Sequence, residues 1–287
     1  MFTGKNTIRV KIIGGLGNQM FQYAAAFAYS RIHNKELVID VRNFDNYEVH
    51  PLRLNKLNVY GEFDSRKRNI IYKAISKLAD IIKPECVYHE KCISYDEKFH
   101  DYEYNLINGY FQSEKYFSAF RSELLDMFTL RENLSKYQLE IKNKIESNNT
   151  VSLHVRRGDY VDNKNANDTH GICSKSYFLA AIDYMKDGGV INEKTKLVVF
   201  SDDIDWCIEH IRFDLDTIFV KGDDECPEKD MYLMSLCEHN IISNSTFSWW
   251  GAWLNNNDNK MVIAPSKWFK DPTLSSKDII PTSWAKI

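Results

Sequence analysis

The segment His154-Val-Arg-Arg-Gly-Asp159 places a histidine, two guanidiniums and a carboxylate directly behind the strand-like run 150–153. In open α/β sheets, ligands bind beyond the carboxyl ends of the strands, so charged residues at this position indicate a site. Arginine is suited to phosphate because its fork of N–H donors holds two oxygens at once. The segment therefore predicts a site for a phosphorylated ligand. The alternative is a surface ion pair between one arginine and Asp159, and the other motifs of the chain weigh against it.

A glycine-rich turn follows the first predicted strand and opens a helix. Gly15 and Gly17 allow the backbone to approach a ligand closely, and free N–H groups at the helix start favour an anion. Asn18 and Gln19 either bind a sugar or phosphate or only cap the helix, and the residues alone leave both interpretations open. A dinucleotide-binding fingerprint is a weaker match, because Met20 occupies the position of its third glycine.

Two adjacent carboxylates, Asp202 and Asp203, follow the predicted strand 196–200. Side chains alternate in direction along extended backbone, so at most one of the two points into a given cleft, and we expect the other to cap the next helix. A carboxylate in such a cleft can accept hydrogen bonds from a guanine edge or a ribose hydroxyl. A metal site would require more convergent carboxylates, and we predict none.

A further polar cluster opens the predicted helix 246–256. The hydroxyls of Ser245 and Thr246, with the backbone N–H groups of the helix start, form a second candidate anion site. Trp249, Trp250 and Trp253 follow at helical spacing. Such a stripe either packs in the core, which we favour for Trp253, or contributes to a carbohydrate site.

Composition limits the possible functions. A net charge of −3 over 287 residues argues against a nucleic-acid partner. The six cysteines show neither a C-x-x-C pair nor regular spacing, which favours reduced thiols over a zinc site or disulfides. No apolar run is long enough for a transmembrane segment. We expect a cytoplasmic protein, either free or peripheral to the inner membrane. The sequence does not indicate an oligomeric state.

Strands and helices alternate along most of the chain, which predicts an α/β fold with a parallel sheet. The region 41–110 is weakly patterned apart from a helix at 68–82. We place a domain boundary at the polar run 146–149, giving an N-terminal acceptor-side domain, 1–148, and a C-terminal donor-binding domain, 149–287. The predicted helices are 18–32, 68–82, 113–128, 134–145, 175–186, 204–210, 227–237 and 246–256; the predicted strands are 9–13, 36–40, 150–155, 196–200, 217–220, 240–243 and 260–264.

Four motifs together resemble the bacterial α-1,2-fucosyltransferases of glycosyltransferase family 11. The resemblance covers nearly the whole chain, with 41–145 the least diagnostic part. It implies a GT-B-type architecture, in which two Rossmann-like domains face a cleft. It also implies GDP-β-L-fucose as a co-substrate, a terminal β-galactoside as acceptor, inversion at the fucose anomeric carbon, and neither metal nor cofactor. The motifs are Gly14-Gly-Leu-Gly-Asn-Gln-Met-Phe-Gln-Tyr23, His154-Val-Arg-Arg-Gly-Asp-Tyr160, Phe200-Ser-Asp-Asp203 and Asn244-Ser-Thr-Phe-Ser-Trp-Trp-Gly-Ala-Trp-Leu254.

The resemblance also implies roles for individual residues. Arg156 meets the donor β-phosphate and is the expected principal catalytic group. Asn18 lies across the cleft at the same phosphate. The remaining assignments are His154 near the guanine or ribose, Arg157 and Asp159 supporting the loop, Asp202 or Asp203 toward the guanosine, and Ser245 and Thr246 at the phosphates.

The general base that deprotonates the acceptor hydroxyl is left open. Asp159, Glu238 and His239 all lie near motifs. Geometry must decide between them, because a base has to lie within hydrogen-bond reach of the proton it removes. Two further alternatives stay open, namely another nucleotide-sugar transferase and a non-catalytic carbohydrate-binding protein that uses the tryptophan cluster.

Overall fold

The structure is a computed structural model that describes residues 6–47, 49–66, 86–158, 171–223 and 225–287. The predicted helix 68–82 and Asp159 lie outside these residues, as does the segment 162–169, whose many Asn and Asp residues predict a loop. The chain divides into two compact units. The first comprises the residues up to Thr129 together with Lys277–Ile279, and the second comprises Leu130–Ser276 and Ile280–Ile287.

The first unit contains a five-stranded sheet in which every strand pair is parallel, with the order β3-β2-β1-β5-β4. Its strands are β1 Thr7–Lys11, β2 Glu36–Asp40, β3 Glu62–Asp64, β4 Val87–His89 and β5 Leu106–Asn108. Its helices are α1 Leu16–Ile32 and α2 Arg121–Met127, with short 3₁₀ turns at Arg42–Asn46, Leu54–Lys56, Glu114–Tyr116 and Ser118–Phe120.

Helix α1 is the central helix of this unit, and residues Leu16 to Ser30 are buried with the single exception of Asn18. Small alanines at 24–26 allow the helix to pack closely on the sheet, and its tyrosines and phenylalanines fill the space around it. The chain enters α1 through Gly14, whose φ of +87° is in the left-handed region. A residue with a Cβ atom is disfavoured there, so the tight turn depends on this glycine.

The second unit contains a six-stranded parallel sheet with the order β11-β10-β9-β6-β7-β8. Its strands are β6 Thr150–Val155, β7 Lys196–Ser201, β8 Asp216–Phe219, β9 His239–Ile241, β10 Val262–Ala264 and β11 Ala285–Lys286. Its helices are α3 Lys136–Glu146, α4 Lys175–Asp187, α5 Ile204–His210, α6 Pro227–Ser235 and α7 Thr246–Leu254.

Helices cover both faces of the second sheet. Along β7, Leu197 and Val199 pack into a cluster with α4 and α5, whereas Val198 and Phe200 pack into a second cluster with α3 and α6. Strand side chains alternate between the faces, so one apolar run supplies both cores. All six residues of β6 are buried, as expected for the middle of such a sheet.

Helix α3 packs with the second unit, because Ile141 and Ile145 lie in the cluster that contains Val198 and Phe200. The chain therefore changes unit near Thr129, whereas the boundary placed from the sequence lies between 148 and 149. The polar run 146–149 ends this helix and leads directly into β6.

The predicted α/β class with two Rossmann-like domains is confirmed, since each unit is a parallel sheet with packed helices. The predicted single helix 113–128 is wrong. This segment forms two 3₁₀ turns and the short α2, because Phe117 adopts φ −145° and interrupts the helical path. Within the described ranges, no helix combines the length and the apolarity that crossing a membrane requires.

Candidate functional site

The charged motifs of the second unit meet at one edge of its sheet. Strand β6 has β7 on one side and β9 on the other, so the connections leave β6 in opposite directions. This is a topological switch point, where the carboxyl ends of neighbouring strands open a crevice. The segments that follow the three strands are 156–158, 202–203 and 242–246.

Arg156 forms an ion pair with Asp202 at this edge, with Nη1 2.8 Å from Oδ2. The Arg156 side chain is 25% exposed and that of Asp202 is 21% exposed, so both reach solvent. The other oxygen of Asp202 accepts a hydrogen bond of 2.8 Å from the backbone N–H of Arg157. Asp202 therefore fixes both the side chain of the first arginine and the backbone of the second.

Two groups hold the Arg157 side chain in place. Its Nε donates to Asp203 at 3.2 Å, and its guanidinium lies 3.6 Å above the indole ring of Trp206. The ring of His210 is parallel to the same indole at a centroid distance of 4.7 Å. Two groups at these distances cannot share one face of an indole, so Trp206 lies between the guanidinium and the imidazole. Trp206 was not identified from the sequence, although its position near the start of the helix after the carboxylates was a usable signal.

The two carboxylates divide their tasks as predicted. Asp203 is the N-cap of α5, where its side chain accepts from the backbone N–H of Trp206 at 3.3 Å. Asp202 does not cap the helix and bonds the Arg156 side chain and the Arg157 backbone. Gly158 makes this possible, because a Cβ atom at that position would lie 2.6 Å from Oδ2 of Asp202.

Two serines fix the start of the arginine loop. The hydroxyl of Ser243 donates to the carbonyl of His154 at 2.5 Å and accepts from the N–H of Arg156 at 3.3 Å. The hydroxyl of Ser201 donates to the carbonyl of Val155 at 2.8 Å. The loop is thus bonded to the ends of both neighbouring strands. Neither serine was assigned a role from the sequence, although Ser201 belongs to one of the motifs.

His154 is buried under the site, with 4% of its surface exposed and with its ring near Phe247. Burial lowers its pKa to about 4; the charge of Asp202 raises it and that of Arg156 lowers it further. The imidazole is therefore neutral at neutral pH. Its Nδ1 is buried and has no hydrogen-bond partner in the described part of the chain.

The start of α7 brings hydroxyls to the same edge. Ser245 caps the helix, since its side chain accepts from the N–H of Phe247 at 3.3 Å. Thr246 is the first residue of the helix and is partly exposed. Asn244 is buried and donates to the carbonyls of Gly171 and Trp268, both at 3.2 Å. Asn244 is a structural anchor, and Thr246 is the side chain that remains accessible.

The tryptophans of α7 belong to the core. Trp249 and Trp250 are fully buried and Trp253 is 3% exposed, and Trp249 packs against Trp284 at 5.4 Å. The interpretation as a carbohydrate site is wrong for these rings, because no face is accessible to a sugar.

Two of the three candidate bases lie at the opposite edge of the sheet. The N–H of Glu238 bonds to the carbonyl of Thr150, and His239 pairs with Val151 at the amino end of β6. About five strand residues, roughly 15–20 Å, separate them from the arginines. His239 is buried, and its Nδ1 accepts from the N–H of Met261 at 3.0 Å. Neither is placed to serve as the base.

The glycine turn of the first unit lies at the carboxyl end of β1, beside β5. Gly15 is the N-cap of α1 in extended conformation and Gly17 lies buried within the helix. Gln19 is fully buried, and its Nε2 donates to the carbonyls of Gly14 and Pro51 at 2.8 and 2.9 Å.

The Oε1 of Gln19 accepts from the N–H groups of Arg53 and Leu54 at 2.9 and 3.0 Å. The amide thus uses its two donors and accepts two hydrogen bonds, joining the turn to segment 51–54. This geometry corrects the expectation that Gln19 contacts a ligand. The side-chain amide is buried, and both its donors and both its acceptor positions are already used within the protein.

Asn18, in contrast, is partly exposed beside the same turn. Its Oδ1 accepts from Nε2 of Gln112 at 2.9 Å. Gln112 follows β5 and was not identified from the sequence, because 94 residues separate it from its partner. Among the described residues, no group of three or more His, Cys, Asp or Glu is placed to hold a metal ion.

Comparison with known proteins shows the family. The sequence model of glycosyl transferase family 11 matches residues 2–287. The chain belongs to glycosyl transferase family 11. Two α/β units on parallel sheets are the components that a GT-B-type enzyme requires.

Named relatives differ in the sugar they transfer. The chain is 38% identical to an α-1,2-colitosyltransferase of Escherichia coli, over 96% of this chain and 97% of that protein. It is 26% identical to galactoside α-(1,2)-fucosyltransferase 2 of Hylobates lar, over 87% of this chain and 69% of that protein. A crystal structure of the NodZ α-1,6-fucosyltransferase with GDP superimposes with a TM-score of 0.48 at 15% identity, covering 87% of this chain and 92% of that one.

Proposed function

We propose that this glycosyltransferase transfers L-fucose from GDP-β-L-fucose to the 2-hydroxyl of a terminal β-galactoside, with inversion at the anomeric carbon. The observation that carries the proposal is the pair of fixed arginines at the switch point of a family 11 chain. Galactoside α-(1,2)-fucosyltransferases among the relatives support the reaction and its linkage.

Transfer from a nucleotide sugar passes through an oxocarbenium-like state while negative charge grows on the departing diphosphate. Donors that are already fixed and aimed at this charge stabilise the transition state without reorganising. Arg156 and Thr246 are the proposed contacts of the diphosphate, together with N–H groups at the start of α7. Asp202 holds the guanidinium of Arg156 in place before the ligand arrives.

The acceptor hydroxyl must lose a proton as the new bond forms. Glu238 and His239 are excluded by their position at the amino edge of the sheet. We keep Asp159 as the proposed base on its place in the motif, and we keep Asn18 as a proposed contact of the β-phosphate. Transfer without a metal or a cofactor also stays a prediction, which EDTA treatment during an assay tests directly.

Colitose is the second candidate donor sugar, because the chain is 38% identical to a colitosyltransferase over almost its full length. Colitose is L-fucose without its 3-hydroxyl group, so the same phosphate site serves both sugars. The choice depends on whether the protein makes a hydrogen bond to that hydroxyl. A site built for the hydroxyl rejects the deoxy sugar strongly, whereas an apolar site discriminates only weakly.

The test is a set of parallel incubations of lactose with GDP-β-L-fucose or with the GDP-linked form of colitose. Mass spectrometry detects the product, and NMR gives the linkage. We expect fucosyl lactose with an α-1,2 bond and free GDP. Turnover with the colitose donor alone would show that colitose, not fucose, is the sugar transferred. Absence of turnover with both donors on all β-galactosides would reject the proposal.

Competition binding of GDP, UDP and NAD separates this proposal from another nucleotide-sugar transferase. We expect GDP to bind most tightly. Binding of UDP or NAD without binding of GDP would reject the fucose donor.

A further inference from the structure

The loop after β5 holds a strained residue. Phe111 has φ +54°, in the left-handed region, although it is a bulky residue and is fully buried. Such a conformation costs free energy for a residue with a Cβ atom and persists only where the surroundings enforce it. Strain of this kind concentrates at functional positions, so the enforcing contacts indicate what the loop is shaped to present.

Glu90 enforces the shape of this loop. Its two carboxylate oxygens accept hydrogen bonds from the N–H groups of Tyr110 and Phe111 at 2.6 and 3.0 Å. Burial raises the pKa of Glu90, and the two hydrogen bonds lower it. The carboxylate packs directly on Gly109, where a Cβ atom would lie 2.4 Å from the Cβ of Glu90. Only glycine fits there.

The loop held by Glu90 buries the ring of Phe111 and exposes that of the preceding residue, Tyr110. Phe111 points down into the aromatic core, with Phe99 and Tyr116 at 5.3 and 5.4 Å. Tyr110 is 44% exposed. Gln112 turns back to bond Asn18 at 2.9 Å. The loop therefore places an exposed phenol ring and an amide pair at the carboxyl ends of β5 and β1.

The chemistry of this edge suits an uncharged sugar. A phenol ring offers an apolar face to the C–H side of a pyranose and a hydroxyl to its rim, at low conformational cost. The amide of Gln112 can donate to and accept from sugar hydroxyls. These two contact groups are neutral, in contrast to the arginines that suit a diphosphate.

We propose that Tyr110 is the stacking surface for the terminal galactose of the acceptor and that the amide of Gln112 binds its hydroxyls. Glu90 is a positioning residue, because it acts on the sugar only through the backbone of Tyr110. This inference rests on the proposed function and adds the residues that recognise the acceptor.

The test compares Tyr110→Ala and Tyr110→Phe with a matched control, Tyr102→Ala. Tyr102 is a tyrosine of the same unit that is 55% exposed. We expect Tyr110→Ala to raise the KM for lactose about tenfold, with the KM for GDP-fucose and the affinity for GDP unchanged. Tyr110→Phe keeps the ring and should stay within about threefold of the wild type, as should Tyr102→Ala.

Glu90→Gln tests the positioning role separately. The glutamine keeps the size of the side chain but replaces one acceptor oxygen by a donor, which faces a backbone N–H. We expect an unchanged melting temperature within a few degrees, and a KM for lactose raised severalfold with no change in the KM of the donor. A general loss of structure would instead lower the melting temperature and raise the KM values of lactose and of the donor together, which would contradict the positioning role.

A binding measurement without donor keeps this test independent of the proposed function. Saturation-transfer NMR with methyl β-galactoside should show contact with the wild type and a weaker signal with Tyr110→Ala. An unchanged KM and an unchanged NMR signal in Tyr110→Ala would overturn the acceptor site. Absence of fucosyl transfer by the wild type, with the NMR contrast intact, would overturn the reaction but not the sugar site.

Discussion

The carboxyl edges of the two sheets occupy the same topological position but contain different chemistry. In the second unit, the segments after β6 and β7 are fixed by ion pairs, Arg156 with Asp202 and Arg157 with Asp203. In the first unit, the segments after β1 and β5 are fixed by neutral amides and by a strained backbone, with one carboxylate, Glu90, bonded to N–H groups.

The difference shows how one sheet topology can serve two kinds of ligand. Fixed guanidiniums present positive charge to an anion, whereas fixed amides and a phenol present neutral donors and acceptors. If this contrast is functional, substitutions at the two edges should affect different kinetic or thermodynamic quantities.

The largest expected effect is that of Arg156→Ala. Removing a fixed donor at developing charge costs on the order of 10²–10³ in rate, so kcat/KM should fall by this factor. Arg212→Ala is a matched control, because within the described part of the chain the hydrogen bonds of the Arg212 side chain are to the backbone carbonyls of Ile208 and Ile211. Steady-state assays with GDP-fucose and lactose measure both. A variant without Arg156 that keeps more than about a tenth of the activity would contradict the phosphate role.

At the first edge, Gln19→Leu should reduce stability. The substitution leaves two carbonyls and two N–H groups without their buried partner, which costs about 2–4 kcal/mol. Thermal unfolding should therefore begin about 5–10 °C lower. Gln112→Leu is the comparison, since its described side-chain hydrogen bond is a single contact with Asn18. Equal shifts for both variants would show that the four bonds of Gln19 are not the cause.

The smallest expected effect is that of Trp206→Leu. A partly buried cation–π contact contributes about 1–2 kcal/mol, so loss of the indole under Arg157 should lower kcat/KM about tenfold. His210→Ala keeps the contact between the indole and the guanidinium, so it should lower kcat/KM less than threefold. If His210→Ala were as damaging as Trp206→Leu, the position of Arg157 would not explain the loss.

Elements with a clear local pattern were predicted well from the sequence. Strand β6 and helix α5 begin and end where predicted, because an apolar run and a capping aspartate define them. Strands β3, β4 and β5 have three residues each, too few for any periodicity to appear. Their pairing partners lie far away in the sequence, and tertiary contacts alone define them.

Motif residues after the strands converge because parallel strands share a carboxyl edge, which the order of elements already predicts. The contact of Asn18 with Gln112 joins segments that are 94 residues apart and left no local signal. Glu238 and His239 were open candidates for the base because they are close to a motif in sequence, and the structure excludes them because a whole strand separates them from the arginines.

The hydroxyls of Ser201 and Ser243 have a consequence for the thermodynamics of binding. They bond consecutive backbone groups of 154–156 to β7 and β9, so the sheet is in effect extended past its last ladder bond. The conformational entropy of this segment is lost when the chain folds. An anion that binds there meets a backbone that is already ordered, and its affinity is not reduced by a further entropy loss in that segment.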